Sequence, residues 1–188
     1  TGNFCFAYAT TVGVNRAHSM AGSPPSDTSR GTWVSLASAN RGWAGAQAKS
    51  AGVRLAIDPI NHRDMPGYHL NTIAQAAAIV RAIGIDRIGL QFDVYHCQTT
   101  EGDVTKRLES VLPSVVHMHI ADVPDRHEPV TGGIGRDYMF RSIDQLGYAC
   151  WIVCDYRPHG APVAVTHCLR RFGGCDDLSV RLRCCVRG

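Results

Sequence analysis

The sequence predicts an α/β fold on a parallel sheet, specifically an incomplete (β/α)8 barrel of about five βα units. Three observations predict it. Apolar runs alternate with amphipathic stretches at a repeat of ~30 residues, the spacing of βαβ units. The apolar runs are near-continuous, as strands covered on both faces must be. Four of the five runs also end in a polar cluster at the carboxyl end: Asp58, Asp93 to His96, His119 to Asp122, and Asp155. That end of a parallel strand is where α/β folds bind ligands. An open doubly wound sheet would place a glycine-rich phosphate loop after its first strand; "GGIGRD" at 132–137 follows a loop instead. A whole barrel takes about 250 residues. The 188 residues here fall short of that by about three βα units.

The elements follow in order. "VNRAHSMAG" reads as a short strand, "SPPSDTSRG" as a loop, and Thr32 to Ser50 as a helix. "VRLAIDPIN" is the second strand. "LNTIAQAAAIVRAIG" carries Leu70, Ile73, Ala76, Ala77 and Val80 on one stripe and stops at Gly84, which makes it a helix. "RIGLQFDVYH" is the third strand, and "DVTKRLESVLP" a helix with Asp103 as its N-cap. "SVVHMHIAD" is the fourth strand, "RDYMFRSIDQLGY" a helix stopped by Gly147, and "CWIVCDYRP" the fifth strand. Residues 1–165 form the partial barrel, and 166–188 an irregular tail rich in Arg and Cys. Trp43 and Trp151 read as packing residues.

Composition excludes several classes. Apolar content of 45% and charged content of 19% are those of an ordinary globular domain. A formal charge of +3 without a basic stripe does not predict a nucleic-acid partner. No apolar run approaches the ~20 residues that span a bilayer, so no membrane partner is expected and the cytoplasm is the expected location. The eight cysteines include no CxxC pair; Cys5, Cys97, Cys150 and Cys154 sit in apolar surroundings and read as reduced core residues. Cys168, Cys175, Cys184 and Cys185 lack metal-site spacing.

The strand ends carry the chemistry. Asp58, Asp93, His119 and Asp155 would bring three carboxylates and an imidazole to one rim, a shell for Mg²⁺ or Mn²⁺, with Co²⁺ as a further fit. His117 and His119 share a strand face, and His119 lies nearer the carboxyl end. His96 and Arg126 flank the set. Asn61 can fix the loop after Asp58 and Pro59 by hydrogen bonds. Such a set can move a proton between neighbouring carbons: one carboxylate removes it beside a carbonyl, a cation stabilises the enediolate, and a second group returns it.

The segments "DPINHRDMPGYHLN", "LQFDVYHCQTTEGD", "HMHIADVPDRHEP" and "QLGYACWIVCDYRPHG" resemble the signature segments of the hydroxypyruvate isomerase family. That family lies within the xylose isomerase-like TIM barrel superfamily, beside the ketose 3-epimerases. The resemblance runs from about Ala7 to Gly160. It implies a barrel of which this chain supplies strands four to eight. It implies interconversion of hydroxypyruvate and 2-hydroxy-3-oxopropanoate with a divalent metal, a reaction of carbohydrate and glyoxylate metabolism. It places Asp58 and Asp155 at the two catalytic, metal-binding acids, Asp93 at a metal ligand, and His96 and Arg126 at substrate-binding positions.

Three positions depart from the family. His119 stands where the close family has Gln and the epimerases have His, which makes a ketose 3-epimerase-like reaction the second expectation. Asp58 and Asp155 stand where the family has Glu. Each swap shortens the carboxylate's reach by ~1.5 Å, and a misplacement of about 1 Å can cost ~10²-fold in rate. Impaired activity, or a remnant that binds metal or sugar acid without turnover, is the third expectation. The partner expected is a small hydroxy-keto acid or ketose. Open strand edges would also favour a homo-oligomer. The superfamily's abasic-site endonucleases need a three-zinc cluster and a basic face, and are not the expected relatives in function.

Overall fold

A computed structural model describes residues 2–25, 27–129, 131–159 and 181–186. They form two compact units, one of residues 1–91 with 114–116 and one of residues 92–113 with 117–188.

The first unit holds α1 (Gly2–Thr11), β1 (Arg16–His18), α2 (Arg30–Ser50), β2 (Arg54–Ile57), α3 (Ile73–Ile83) and most of β3 (Ile88–Asp93). β1 pairs with β2 in parallel, Ala17 opposite Leu55, and β2 with β3, Ala56 opposite Gly89. Ile57, Ile88 and Leu90 are fully buried in these strands, each contributing roughly 1.5–3 kcal/mol of transfer free energy. α3 starts where "NTIAQ" predicts. The Thr72 hydroxyl accepts from the Gln75 amide, and the Gln75 side chain accepts from Thr72, a complete capping box. Ile73, Ala76, Ala77 and Val80 form its buried stripe, and Gly84, at φ 103°, ends it. Gly89 is required where it stands, because a Cβ there would overlap the Val116 side chain.

The second unit holds the end of β3, then α4 (Val94–Thr100), α5 (Val104–Val111), most of β4 (Val115–Ile120), α6 (Arg136–Gln145), β5 (Trp151–Tyr156) and β6 (Arg181–Val186). β4 pairs with β5, His119 opposite Val153, and β5 with β6, Asp155 opposite Cys185, all in parallel. In β4 the burial alternates: Val116, Met118 and Ile120 are buried, while His117 and His119 share the half-exposed face. Their rings meet edge to face at 4.9 Å.

Several elements differ from expectation. α1 forms over an apolar segment that carries no helix signal. β3 ends at Asp93 and passes directly into α4, so the predicted strand through His96 is too long; the cause is that Asp93 caps a new helix. Asp103 makes no side-chain cap. It lies at φ 50°, where the chain turns through the left-handed region after Gly102 and its carboxylate cannot reach the first amides of α5. Trp43 is 56% exposed and does not pack into the core. β6 is a regular strand within the segment read as irregular; residues 166–180, the rest of that segment up to β6, lie outside the described residues. Cys97 and Cys154 are buried, Cys150 half-buried, and all three are free thiols, as expected. The side chains of Cys5 and the four tail cysteines lie outside the described residues.

Candidate functional site

Five of the six residues singled out in the sequence lie in the second unit, and the fold brings them together. Asp93 ends β3 and caps α4: its Oδ1 accepts from the amides of Tyr95 at 2.9 Å and His96 at 3.2 Å. Those bonds point Oδ2 away from the helix. Arg126 Nη2 donates to Asp93 Oδ2 and to Asp155 Oδ2, both at 3.0 Å. Arg126 Nε donates to the Asp155 carbonyl at 3.2 Å, and Nη1 donates to His96 Nε2 at 3.0 Å. A guanidinium has no lone pair to offer, so in this arrangement His96 accepts through Nε2. His119 Nδ1 lies 3.3 Å from Asp155 Oδ2 and 4.0 Å from Asp93 Oδ2. The Tyr95 ring lies under the Arg126 guanidinium, 5.0 Å from its carbon.

The centre is almost dry. Asp93, His96, Arg126 and Asp155 are each under 5% exposed, and His119 forms the half-open side. Burial by itself would raise the Asp93 carboxyl. The neighbouring His96, the Arg126 guanidinium, His119 and the His96 amide outweigh it and hold the carboxyl below its ordinary value of 3.8.

Arg126 reaches this place by an unusual backbone. It has φ 62°, in the left-handed region that residues with a Cβ seldom adopt. A set of bonds between the loops after β4 and β5 holds it there. The Arg157 amide donates to the Arg126 carbonyl at 2.7 Å, and His127 Nδ1 donates to the Arg157 carbonyl at 2.8 Å. The Asp122 amide donates to the His127 carbonyl at 3.1 Å. The buried Glu128 carboxylate accepts from the His159 amide, and the His127 and His159 rings meet edge to face at 4.7 Å. Asp122, part of the predicted rim, is occupied in the loop: its carboxylate takes the amides of Val123, Gly132 and Ile134.

Asp58 belongs to the first unit. It follows β2 directly, is buried, and its Oδ2 accepts from Gln91 Nε2 at 2.7 Å. Tyr68 is close enough for the Asp58 charge to act on it. Asn61 performs the expected loop work, its Oδ1 accepting from the Asp64 amide at 2.8 Å.

The donor atoms of Asp93, His119 and Asp155 lie within 4.8 Å of one another. Two carboxylates there face one guanidinium, with the His96 and His119 rings beside them. An oxygen-rich set with one imidazole fits a hard divalent cation. A cation bound between the two carboxylates would compete with Arg126 for the same oxygens.

Sequence reasoning passed over Gln91, Tyr95, His127, Glu128 and Tyr68. Gln91 had a readable signal, since it stands two residues before Asp93 on the same face of an otherwise apolar strand. The loop-to-loop bonds had none, because they join residues about 30 apart through backbone groups.

A family model described as "Xylose isomerase-like TIM barrel" matches residues 4–171. The chain is 41% identical over 167 residues to a 2-oxo-tetronate isomerase of Cupriavidus necator, which covers 89% of this chain and 64% of that protein. It is 33% identical over 151 residues to the hydroxypyruvate isomerase of Escherichia coli, covering 80% and 58%. Among solved structures it is similar to an AP endonuclease, family 2, from Brucella melitensis, with TM-score 0.85, 28% identity and coverage of 94% and 67%. It also matches a 3-keto-D-glucoside 4-epimerase from E. coli at TM-score 0.79 and 19% identity, covering 93% and 69%, a likeness of fold. The chain spans roughly three fifths of the length of the two isomerases. The incomplete-barrel class read from the strand pattern is therefore the observed one, and this chain belongs to the xylose isomerase-like TIM barrel family.

Proposed function

We propose that this chain carries the chemistry of an isomerase that moves a proton between adjacent carbons of a short 2-oxo acid, with hydroxypyruvate as the substrate. The observation that supports it is the buried cluster of Asp93, His119 and Asp155 around the Arg126 fork. When a divalent cation is bound by Asp93, His119 and Asp155, with Asp58 as a further ligand, it would supply charge stabilisation to a developing enediolate.

The residues of the chain do the rest. Where a cation takes the Asp93 and Asp155 oxygens, the Arg126 fork that held them would turn to the substrate carboxylate or to an oxygen of the enediolate. The Tyr95 ring beneath it limits its swing. His96 Nε2, held on Arg126 Nη1, fixes the tautomer with the proton on Nδ1. Asp58, steadied by Gln91, and Asp155 are the two acids. One removes the proton from the hydroxymethyl carbon and the electron pair of that C–H bond becomes the enediolate double bond; the hydroxyl proton passes to the former carbonyl oxygen, and the other acid returns a proton to the former carbonyl carbon. The dry surroundings of Asp93 and Asp155 keep bulk water from quenching the intermediate.

A second substrate has its own support, since the 2-oxo-tetronate isomerase matches at higher identity and over more of the chain than the hydroxypyruvate isomerase. That would be a 2-oxo acid with one more carbon. The epimerase-like reaction rests on His119 and on the epimerase fold neighbours, and would require a ketose in the same centre.

The test is an assay of isomerisation with Mg²⁺ or Mn²⁺ on hydroxypyruvate, 2-oxo-tetronate and a ketose such as fructose, for the wild type and for Asp58→Glu with Asp155→Glu. The double variant restores ~1.5 Å of reach at each acid, so its rate on the 2-oxo acid should rise. Turnover of the ketose alone, or no gain from the double variant, would overturn the reading.

A further inference from the structure

Arg41 lies on α2, in the first unit, and is only 5% exposed. Its Nε is buried without a hydrogen-bond partner, and no carboxylate pairs with it among the described residues. Among the described residues, the group electrostatically coupled to it is Tyr68. Burial above all pushes the Tyr68 phenol up, and its oxygen accepts from the Ala21 amide at 2.7 Å. Tyr68 is therefore neutral at ordinary pH and supplies no counter-charge. Burial in turn pulls the Arg41 guanidinium below its usual range. A cation in such a place is costly unless an anion joins it.

Arg41 lines a cavity of ≈ 300 Å³ between α2 and the segment 19–21 that follows β1. Its other walls include Met20, Trp33, Leu36, Asn40 and Trp43. Trp33, Leu36, Asn40 and Trp43 recur at helical spacing, so one face of α2 builds most of the wall. Trp33 Nε1 is a second buried donor without an acceptor. The wall thus combines unmet donors, one of them cationic, with apolar and aromatic surface. The volume lies at the small end of the range for ligand sites.

We propose that this cavity binds a small-molecule carboxylate with an apolar body. The Arg41 fork takes the carboxylate, and Trp33, Leu36, Trp43 and Met20 enclose the apolar part. Its lining shares no residue with the Arg126 centre, and the proposal does not depend on the isomerase reading.

Trp33 and Trp43 make the test direct. Sodium benzoate is titrated into the full chain while tryptophan fluorescence is followed, with benzamide as the neutral isostere and inorganic phosphate as the anion without an apolar body. Benzoate should give a saturable change, and benzamide and phosphate should not. Arg41→Met should weaken benzoate by roughly 10- to 100-fold, the worth of a charge-assisted hydrogen bond. Where that variant does not fold by circular dichroism, Ala37→Glu decides. It places a carboxylate one helical turn before Arg41 and should abolish the benzoate response. No saturable change with benzoate, equal binding of benzamide or phosphate, or undiminished benzoate binding in either folded variant would overturn the proposal.

Discussion

Removing the Arg126 guanidinium should expose how the centre is held together. Arg126→Met keeps most of the side-chain volume and deletes the one full positive charge between Asp93 and Asp155. Each ion pair is 3.0 Å long with side chains at most 5% exposed. At an effective dielectric near 20, two unit charges at that distance attract by about 5–6 kcal/mol, part of which offsets desolvation. Breaking such a buried pair typically costs about 3–5 kcal/mol. The variant has one escape, which is to protonate a carboxylate. Raising a carboxyl from about 4 to above 7 costs about 4 kcal/mol, because each unit is worth ~1.36 kcal/mol. Both routes put the loss near 3–4 kcal/mol, or a fall in Tm of roughly 6–16 °C for a chain of this size. A divalent cation can replace the lost charge, so Mg²⁺ should recover more stability in the variant than in the wild type. Urea unfolding in EDTA and in Mg²⁺ measures both quantities. A loss below about 1 kcal/mol, or a variant indifferent to Mg²⁺, would refute the reasoning, since the fork would then not be the counter-charge.

Two further outcomes follow from the same geometry. Asp93 has its carboxyl held below the ordinary value of 3.8, so its contribution to stability is present above that pH and lost as pH falls through the lower folded value. The gap in urea midpoint between the wild type and Asp93→Asn should therefore be constant near neutrality and close below about pH 4; a gap that widens on acidification contradicts the sign. His127 positions Arg126 through one hydrogen bond, so His127→Ala should raise KM for the 2-oxo acid by about tenfold with little change in kcat, as ~1.4 kcal/mol of lost orientation would. His127→Asn carries an N–H at nearly the same place and should retain the wild-type KM. Equal effects of the two variants would show a merely structural role.

How much of this was legible in the sequence depends on the range of the interaction concerned. The strands, α3 with its capping box, and the polar carboxyl ends follow from periods of two and 3.6 residues and from short-range caps. Asp93, His119 and Asp155 were identifiable because a strand end offers few other places for a polar group, whereas His96 and Arg126 were singled out as groups flanking that set and by the resemblance. Asp93 as the cap of α4 was missed because the apolar run continues through Val94 and Tyr95, which hides the change from strand to helix. The insertion of Arg126 was not readable, because a left-handed residue held by Arg157, His127 and Asp122 depends on contacts between loops that no local pattern encodes. Asp103 failed as a cap for a related reason: the preceding Gly102, also at positive φ, sets the turn. Trp43 was expected to pack because of its size, but size does not decide burial, and Trp43 stands exposed on the cavity wall.

The most direct test of the account is proton exchange at the substrate carbon. Hydroxypyruvate is incubated in D₂O with Mg²⁺ and the wild-type chain, and the hydroxymethyl proton is followed by NMR. The account predicts enzyme-dependent loss of that signal together with formation of 2-hydroxy-3-oxopropanoate, both faster in the Asp58→Glu, Asp155→Glu double variant and abolished in Asp155→Asn. A hydroxymethyl signal that persists with both the wild type and the double variant, in protein shown to be folded, would contradict the claim that this centre moves a proton between carbons.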